Sequence, residues 1–429
     1  MWIGLLFAIL CLATHFESMS VKNSMRSLEG HTVRDPVEAT QIFREKTVQC
    51  LVLGNYTEPD IYTIQTLILY YIADHFRTAD TQFGAWMVFG LIVRAGMRLG
   101  LHRDASHYPT ISVFRGEMQR RYWASILHLD LQTSLQVGLP RMVKEGMYDT
   151  QSPRNLLDSD FNQDTITLPA PRPESEITPI SYFNSKHRIT KIFGMIVDQA
   201  NSTTPISYDS VMKLDKMLHS VHQETPMPLK VSSVNVLQVG DAEIRLRKFS
   251  VDLTFQKARC VLHRKFFFPN KASSTYPYPY SMKACIEASM RILQAQNIMY
   301  GETLPGKPLF KHRWKASSLV SHDFLLAAML VCLYLGHVLA AASTERMTQS
   351  GVKTSWTREE MLATLNGSYQ IWEELSPSSK EAAKAAKALK AMLTKVKRAG
   401  LATPANGSRV PEKQNSNSHP RKSTLLAEY

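Results

Sequence analysis

Cysteine is scarce: the 429-residue chain has five, at positions 11, 50, 260, 285 and 332, with no Cys-x-x-Cys pair and no Cys/His cluster at ligand spacing. That argues against a disulfide framework or a cysteine-built zinc site and suits a reduced, intracellular chain. Glycine (19) and proline (21) are too few for a collagen-like composition. The sequence has no Gly-x-Ser-x-Gly elbow, phosphate-cradling glycine loop or zincin helix, so hydrolase and nucleotide-binding readings lack a starting point. No internal repeat is visible. Acidic residues are also short, 37 against 50 Lys and Arg.

What is present is an ordinary globular composition, 44% apolar and 20% charged, with a mean hydropathy of -0.18. The length allows one large or two to three ordinary domains around a sizeable core. The net charge of +13 suits contact with nucleic acid, anionic membrane or acidic proteins. Much of it is concentrated at the end, where residues 379–429 hold eleven Lys and Arg against Glu381, Glu412 and Glu428.

Two apolar segments imitate membrane signals. Residues 2–13, WIGLLFAILCLA, look like a signal-peptide core, and sequons at Asn55, Asn201, Asn366 and Asn406 would fit secretion. No Lys or Arg precedes the segment, however, and no small-x-small cleavage site follows it. Residues 324–342 are just long enough to cross a bilayer, with His337 their only ionisable group. They lack an aromatic belt and a juxtamembrane basic cluster, so the expected role is a helix at the centre of a large helical domain. The alternative is a membrane-anchored helical protein held by this segment.

Elsewhere apolar residues recur at three-and-four spacing, which predicts helices over 61–76, 83–101, 116–137, 182–201, 207–222, 244–268, 281–299, around 324, and 357–375. Gly84, Gly90, Gly96 and Gly100 are expected to mark close helix approach, and Gly138-Leu139-Pro140 to stop the third helix. The run 231–239 is beta-branched but too isolated to imply a sheet. The expected architecture is all-α, in two helical halves, 1–164 and 181–398, joined by a Pro-rich connection at 165–180 and followed by a disordered basic tail at 399–429. Residues 380–399 form a basic, alanine-rich helix.

Charged residues inside apolar helices are the most specific feature: Arg94 and Arg98, then Glu117, Arg120, Arg121 and Asp130. If Arg94 or Arg98 faces the next helix, burial demands a carboxylate, and a pair with Asp130 or Glu117 would set helix register. His102-Arg103-Asp104 copies the opening of a kinase catalytic loop, but Pro109 stands where the magnesium-binding Asn should fall. His219 and His222 have no third ligand at a suggestive distance and are expected at the surface.

Several of these residues also carry a family resemblance. Trp86, Gly90, Arg94, Leu99-Gly100-Leu101-His102-Arg103-Asp104, Glu117-Met118, Arg120-Arg121, Trp123, Leu129-Asp130, Ser134, Gly138-Leu139-Pro140 and Asp149 resemble, in order and spacing, the regulatory (middle homology) domain of fungal-specific transcription factors. Cys260-Val-Leu-His263-Arg264-Lys265, Tyr280-Ser281, Cys285-Ile286 and His322-Asp323-Phe324 resemble the second half of such regulators. The resemblance implies an all-helical, nuclear regulator of metabolic or secondary-metabolite genes, without enzymatic activity. Arg94, Arg98, His102, Arg103, Asp104, Glu117, Arg121, Trp123 and Asp130 are the matched positions, with a structural role. It implies coregulator proteins as partners, admits a homodimer and a small-molecule inducer, and leaves no place for a membrane. Family members carry zinc in a six-cysteine DNA-binding cluster, which is missing here, so no cofactor is expected in this chain. DNA contact is then expected only through that missing module or weakly through the basic tail.

Overall fold

A computed structural model describes residues 1–21, 35–77, 83–268, 277–312, 321–342 and 354–401. Among the described residues there are twelve α-helices and no strand. Helix α1 (Trp2–Val21) pairs antiparallel with α2 (Pro36–Leu53): Phe7 stacks on Phe43, and Gly4 lies against Cys50. Helices α3 (Ile61–Arg77), α4 (Phe83–Arg98) and α5 (Val113–Val137) complete the first layer.

Local chemistry sets the helix ends. Ser112 accepts the Arg115 N–H at the start of α5, and Gly138 ends that helix in the left-handed region, φ 70°, with its N–H returned to the Ser134 carbonyl. Of the four glycines expected at close approaches, Gly96 is one, since a methyl there would lie 3.1 Å from Ile126 on α5. Gly100 instead sits at φ +75° just beyond α4, and Gly84 faces open space.

After α5 the chain runs through residues 138–178 with one short 3-10 turn, Asp158–Asp160. Helix α6 (Pro179–Ala200) then starts on a Thr178 cap, with proline in its first turn, where no N–H is missed. Helices α7 (Tyr208–Gln223), α8 (Ala242–His263), α9 (Pro279–Glu302), α10 (Ser321–Ala342), α11 (Arg358–Leu375) and α12 (Lys380–Leu401) follow. Residues 231–239 form no strand: 3-10 turns at Met227–Leu229 and Val234–Gln238 tuck Leu229, Val231 and Leu237 into the core.

The interior divides into three main clusters. Tyr71, Phe89, Trp123 and Ile126 centre the first, between α3, α4 and α5. Leu131 of α5 joins α6, α7 and one side of α8 in the second. The other side of α8 (Phe249, Leu253, Cys260) packs with α9 to α12 in the third. Each fully buried Ile, Leu or Phe stabilises by about 1.5–3 kcal/mol, so α8, shared by two clusters, is the spine.

Both membrane-like segments are ordinary helices here. Phe324, Ala327, Ala328, Leu330, Val331, Cys332 and Leu335 of α10 are buried in the third cluster. Among the described residues no helix is long and apolar enough to cross a membrane. Helix α1 buries Ala8, Cys11 and Leu12, while Trp2, Ile3, Leu6 and Ile9 stay exposed. Helix α12 continues to Leu401, so the expected tail begins helical; residues 402–429 lie outside the described residues.

Candidate functional site

Residues 138–158 have few hydrogen bonds from regular structure, and each buried backbone N–H there needs an acceptor. Carboxylates on and near α5 supply them. Asp104, 1% exposed, takes both Nε (2.9 Å) and an Nη (2.8 Å) of Arg120, together with the N–H groups of Ser106 (3.0 Å) and Gln151 (2.9 Å). The Arg120 bonds outweigh burial and hold its carboxyl well below the usual range. Asp149 accepts the Asp104 N–H (2.8 Å) and meets Arg103 (3.0 Å) and His107 (3.1 Å). The Asp149 N–H returns to the His102 carbonyl (3.1 Å), so residues 101–104 and 149–151 are laced together.

Glu117 and Asp130 repeat the device further along α5. Glu117 accepts the Arg154 N–H (3.1 Å) and Arg121 Nε (3.3 Å), and Arg121 reaches on to Asp158 (2.6 Å), the Leu156 carbonyl (3.0 Å) and the face of Phe161 (4.8 Å). Asp130 accepts the N–H groups of Met142 (3.0 Å) and Val143 (2.9 Å). Burial pushes both carboxyls upward, against the hydrogen bonds they accept. Beside them Arg141 makes a two-pronged bond to Asp198 of α6 (3.0 and 2.7 Å) and lies over Gly194, where a Cβ would meet Cζ at 2.7 Å. The chain from α5 to α6 is thereby fastened at both ends.

Asp130 and Glu117 are buried, but the expected pair with Arg94 or Arg98 is not formed. Both arginines are exposed, and Arg94 folds back to donate to the Gly90 carbonyl (3.1 Å). Their face of α4 meets water, where no desolvation penalty demands a carboxylate. Trp123 is core, its ring 6.0 Å from Tyr148 and 6.0 Å from His102. Asp104 is no poised base: both oxygens are occupied and its proton affinity is lowered.

A second network joins α7, α8 and α9. His263 Nδ1 lies 2.9 Å from Ser281 Oγ and Nε2 lies 3.1 Å from Asp215 Oδ1; Tyr280 donates to Asp215 (2.5 Å), and Tyr208 meets Ser281 (3.1 Å). The hydroxyl, imidazole and carboxylate are in hydrolase order, but Ser281 and His263 are 0% exposed, so no substrate reaches them. Burial would raise the Asp215 carboxyl, yet hydrogen bonds from His219, His263 and Tyr280 hold it well below the usual range. His219 pairs with Asp215 (3.3 Å) and meets Phe255 edge-on (5.4 Å), whereas His222 stacks on the same ring at 3.8 Å. Among the described residues no group of three His, Cys, Asp or Glu could hold a metal ion. Asp215, Arg141 and Asp198 were not legible as partners: the only local hint for Asp215 is its spacing of one helical turn from His219.

A cavity of about 470 Å³ opens between α5, α6 and α8, lined among others by His128, Phe183, Lys186, Arg247, Ser250 and Lys257. Its size is that of a small-ligand site. Burial lowers the His128 imidazole well below its usual range, Lys257 pairs with Asp323 and Arg247 with Glu243.

Comparison with known proteins adds a family. The fungal specific transcription factor domain matches residues 3–233. Over 95% of its length the chain is 41% identical to the Zn(2)-C6 fungal-type transcription factor mpsB of Macrophomina phaseolina, of which it covers 54%. It is 38% identical to the Zn(2)-C6 fungal-type transcription factor pigI of Monascus ruber over 93% of the chain and 47% of that protein. It is likewise 38% identical to the Pyrrolocin cluster transcription factor fsdR of a fungal species (strain NRRL 50135), over 92% of the chain and 52% of that protein. The chain therefore spans about half the length of these curated relatives. No solved structure matches it.

Proposed function

This chain belongs to the fungal specific transcription factor domain family, and we propose that it is the regulatory part of a Zn(2)-C6-type factor controlling RNA polymerase II transcription of metabolic or secondary-metabolite genes in the nucleus. The observation that carries this reading is the similarity along 92–95% of the chain to two proteins named as Zn(2)-C6 fungal-type transcription factors and one named as a Pyrrolocin cluster transcription factor. The helices form a scaffold without strands among the described residues, and the residues matched to the family are chiefly fastenings between α5 and the connection to α6, as a positioning role requires.

The zinc of the family's DNA-binding cluster does not fit the residues present. Cys11, Cys260, Cys285 and Cys332 are buried in packing, and Cys50 is half-buried on α2 against α1. Base reading is accordingly assigned to a zinc-cluster module outside these residues. Regulation then works through coregulator proteins or through a small effector in the cavity between α5, α6 and α8, whose walls include the helix that carries Asp130. No catalytic role is assigned to any residue.

The test is to fuse the 429-residue chain to a heterologous DNA-binding module and read a reporter in a fungal host. Reporter output above or below that of the module alone is expected. Unchanged output from a fusion that accumulates in the nucleus overturns the reading.

A further inference from the structure

Helix α12 divides into two faces. Ala382, Ala385, Ala386, Leu389, Leu393 and Val396 are buried on α10 and α11. At about 100° per residue, Lys380, Lys384, Lys387, Lys395 and Arg398 fall within about 60° of the line opposite that buried face, along about 27 Å of helix. Lys390 and Lys397 flank the stripe, and all seven cations are exposed. Glu381 is the only acid on the helix. Lys384, Lys387, Lys395, Lys397 and Arg398 take part in no ion pair among the described residues, and Lys390 leans on the Tyr369 hydroxyl. Lys384, Lys387, Lys395 and Arg398 of the stripe are thus uncompensated charges carried on a docked helix, so their display needs no ordering when a partner arrives.

We propose that this face of α12 binds the phosphate backbone of duplex DNA, a sequence-blind contact separate from any base-reading module. The choice of DNA rests on the reading of the chain as part of a transcription factor; the charge geometry does not. Between the cations the exposed residues are Ala383, Ala388, Ala391 and Thr394, with no aromatic or large aliphatic anchor. Protein interfaces are depleted in lysine and enriched in such anchors, and a membrane-surface helix inserts its apolar face, which α12 has already buried in the core. Phosphates need neither. With one phosphate per strand for about every 3.4 Å of duplex axis, a stripe of about 27 Å is long enough to meet several of them. Lysine ammonium groups neutralise phosphates without reading base edges, so the contact has little sequence preference.

The test uses the full 429-residue chain and a fluorescein-labelled 20-base-pair duplex of arbitrary sequence, with binding followed by anisotropy between 50 and 200 mM salt. One variant carries Lys384→Glu, Lys387→Glu, Lys395→Glu and Arg398→Glu. A control carries Lys144→Glu, Lys213→Glu, Lys216→Glu and Lys311→Glu, four exposed lysines elsewhere, with the same change in net charge. Thermal melting verifies that both are folded. The α12 variant is expected to lose at least tenfold in affinity at 50 mM salt and to flatten the slope of log K against log salt by about 3–4, while the control loses less than threefold. Equal loss in both variants, or no wild-type binding at 50 mM salt, overturns the proposal. Displacement of the duplex by polyglutamate at equal charge, or equal retention on phosphatidylserine vesicles, overturns the choice of DNA in favour of an acidic protein or a membrane. The reporter fusion above does not depend on this stripe, so the failure of one reading is distinguishable from the failure of the other.

Discussion

Asp104, Glu117 and Asp130 around α5, and Asp215, Asp252 and Asp323 around α8, are all buried, yet they meet different partners. The first three accept backbone N–H groups of the connection: Gln151, Arg154, and Met142 with Val143. The other three meet side chains of neighbouring helices: His263 and Tyr280, Arg291, and Lys257. A carboxylate facing irregular chain stands in for the missing secondary structure. One facing another helix sets register. Removing the first kind orphans main-chain donors that no rotamer change can move, whereas the second leaves side chains that can reorient.

The largest effect expected from this contrast is at Asp104. Asp104→Ala strips Arg120 of a two-pronged partner and leaves the Gln151 and Ser106 N–H groups without an acceptor, which costs about 3–5 kcal/mol. Urea unfolding measures it, and limited proteolysis is expected to cut within 138–178 under conditions that leave the native chain whole. A loss below about 1 kcal/mol would break the contrast at its strongest point. Asp215→Asn keeps one oxygen for Tyr280 or His263 and is expected to cost about 1–3 kcal/mol without opening that connection to protease. Cleavage at 138–178 in this variant would show that the two regions are not separate.

The smallest effect is acid sensitivity. Burial lowers His187 and His222 to about 4 from an ordinary 6.5. The unfolded chain then binds more protons between those values. Stability is therefore complete above about pH 6.5 and is lost as pH falls toward 4. His219, raised by its hydrogen bond to Asp215, acts in the opposite sense: its contribution is present in acid and lost as pH rises. His222→Phe keeps the stack on Phe255 and should recover about 1–2 kcal/mol of the loss between pH 7 and pH 5. Unfolding midpoints for wild type and variant that fall in parallel would remove His222 as a cause.

The helices could be read from the sequence because amphipathic spacing is a local property, and the Gly138-Leu139-Pro140 stop was legible for the same reason. The burial of Asp130, set between Leu129 and Leu131, was also legible, and Glu117 stood out as a charge inside an apolar helix. Their partners were not. Periodicity says nothing about which backbone N–H of a 40-residue irregular segment arrives beside a given helix, and the expectation defaulted to cations on the adjacent helix. Arg94 and Arg98 lie on the flank of α4, an angle from which the wheel alone does not distinguish a neighbouring helix from water. Asp215 was invisible for another reason: its network closes only when α7, α8 and α9 are side by side.

The burial of α10 has a consequence for synthesis. Its cover comes partly from α9, which is made before it, and partly from α11 and α12, which are made after it. While the ribosome is still translating residues 358–401, a hydrophobic helix of 22 residues stands half-covered. A nascent chain stopped in that interval would present the cell with an exposed apolar segment of the kind that chaperones bind. Premature stop codons after residue 342 should therefore yield aggregation-prone polypeptide, and the integrity of α12 matters to the cell before any partner meets it.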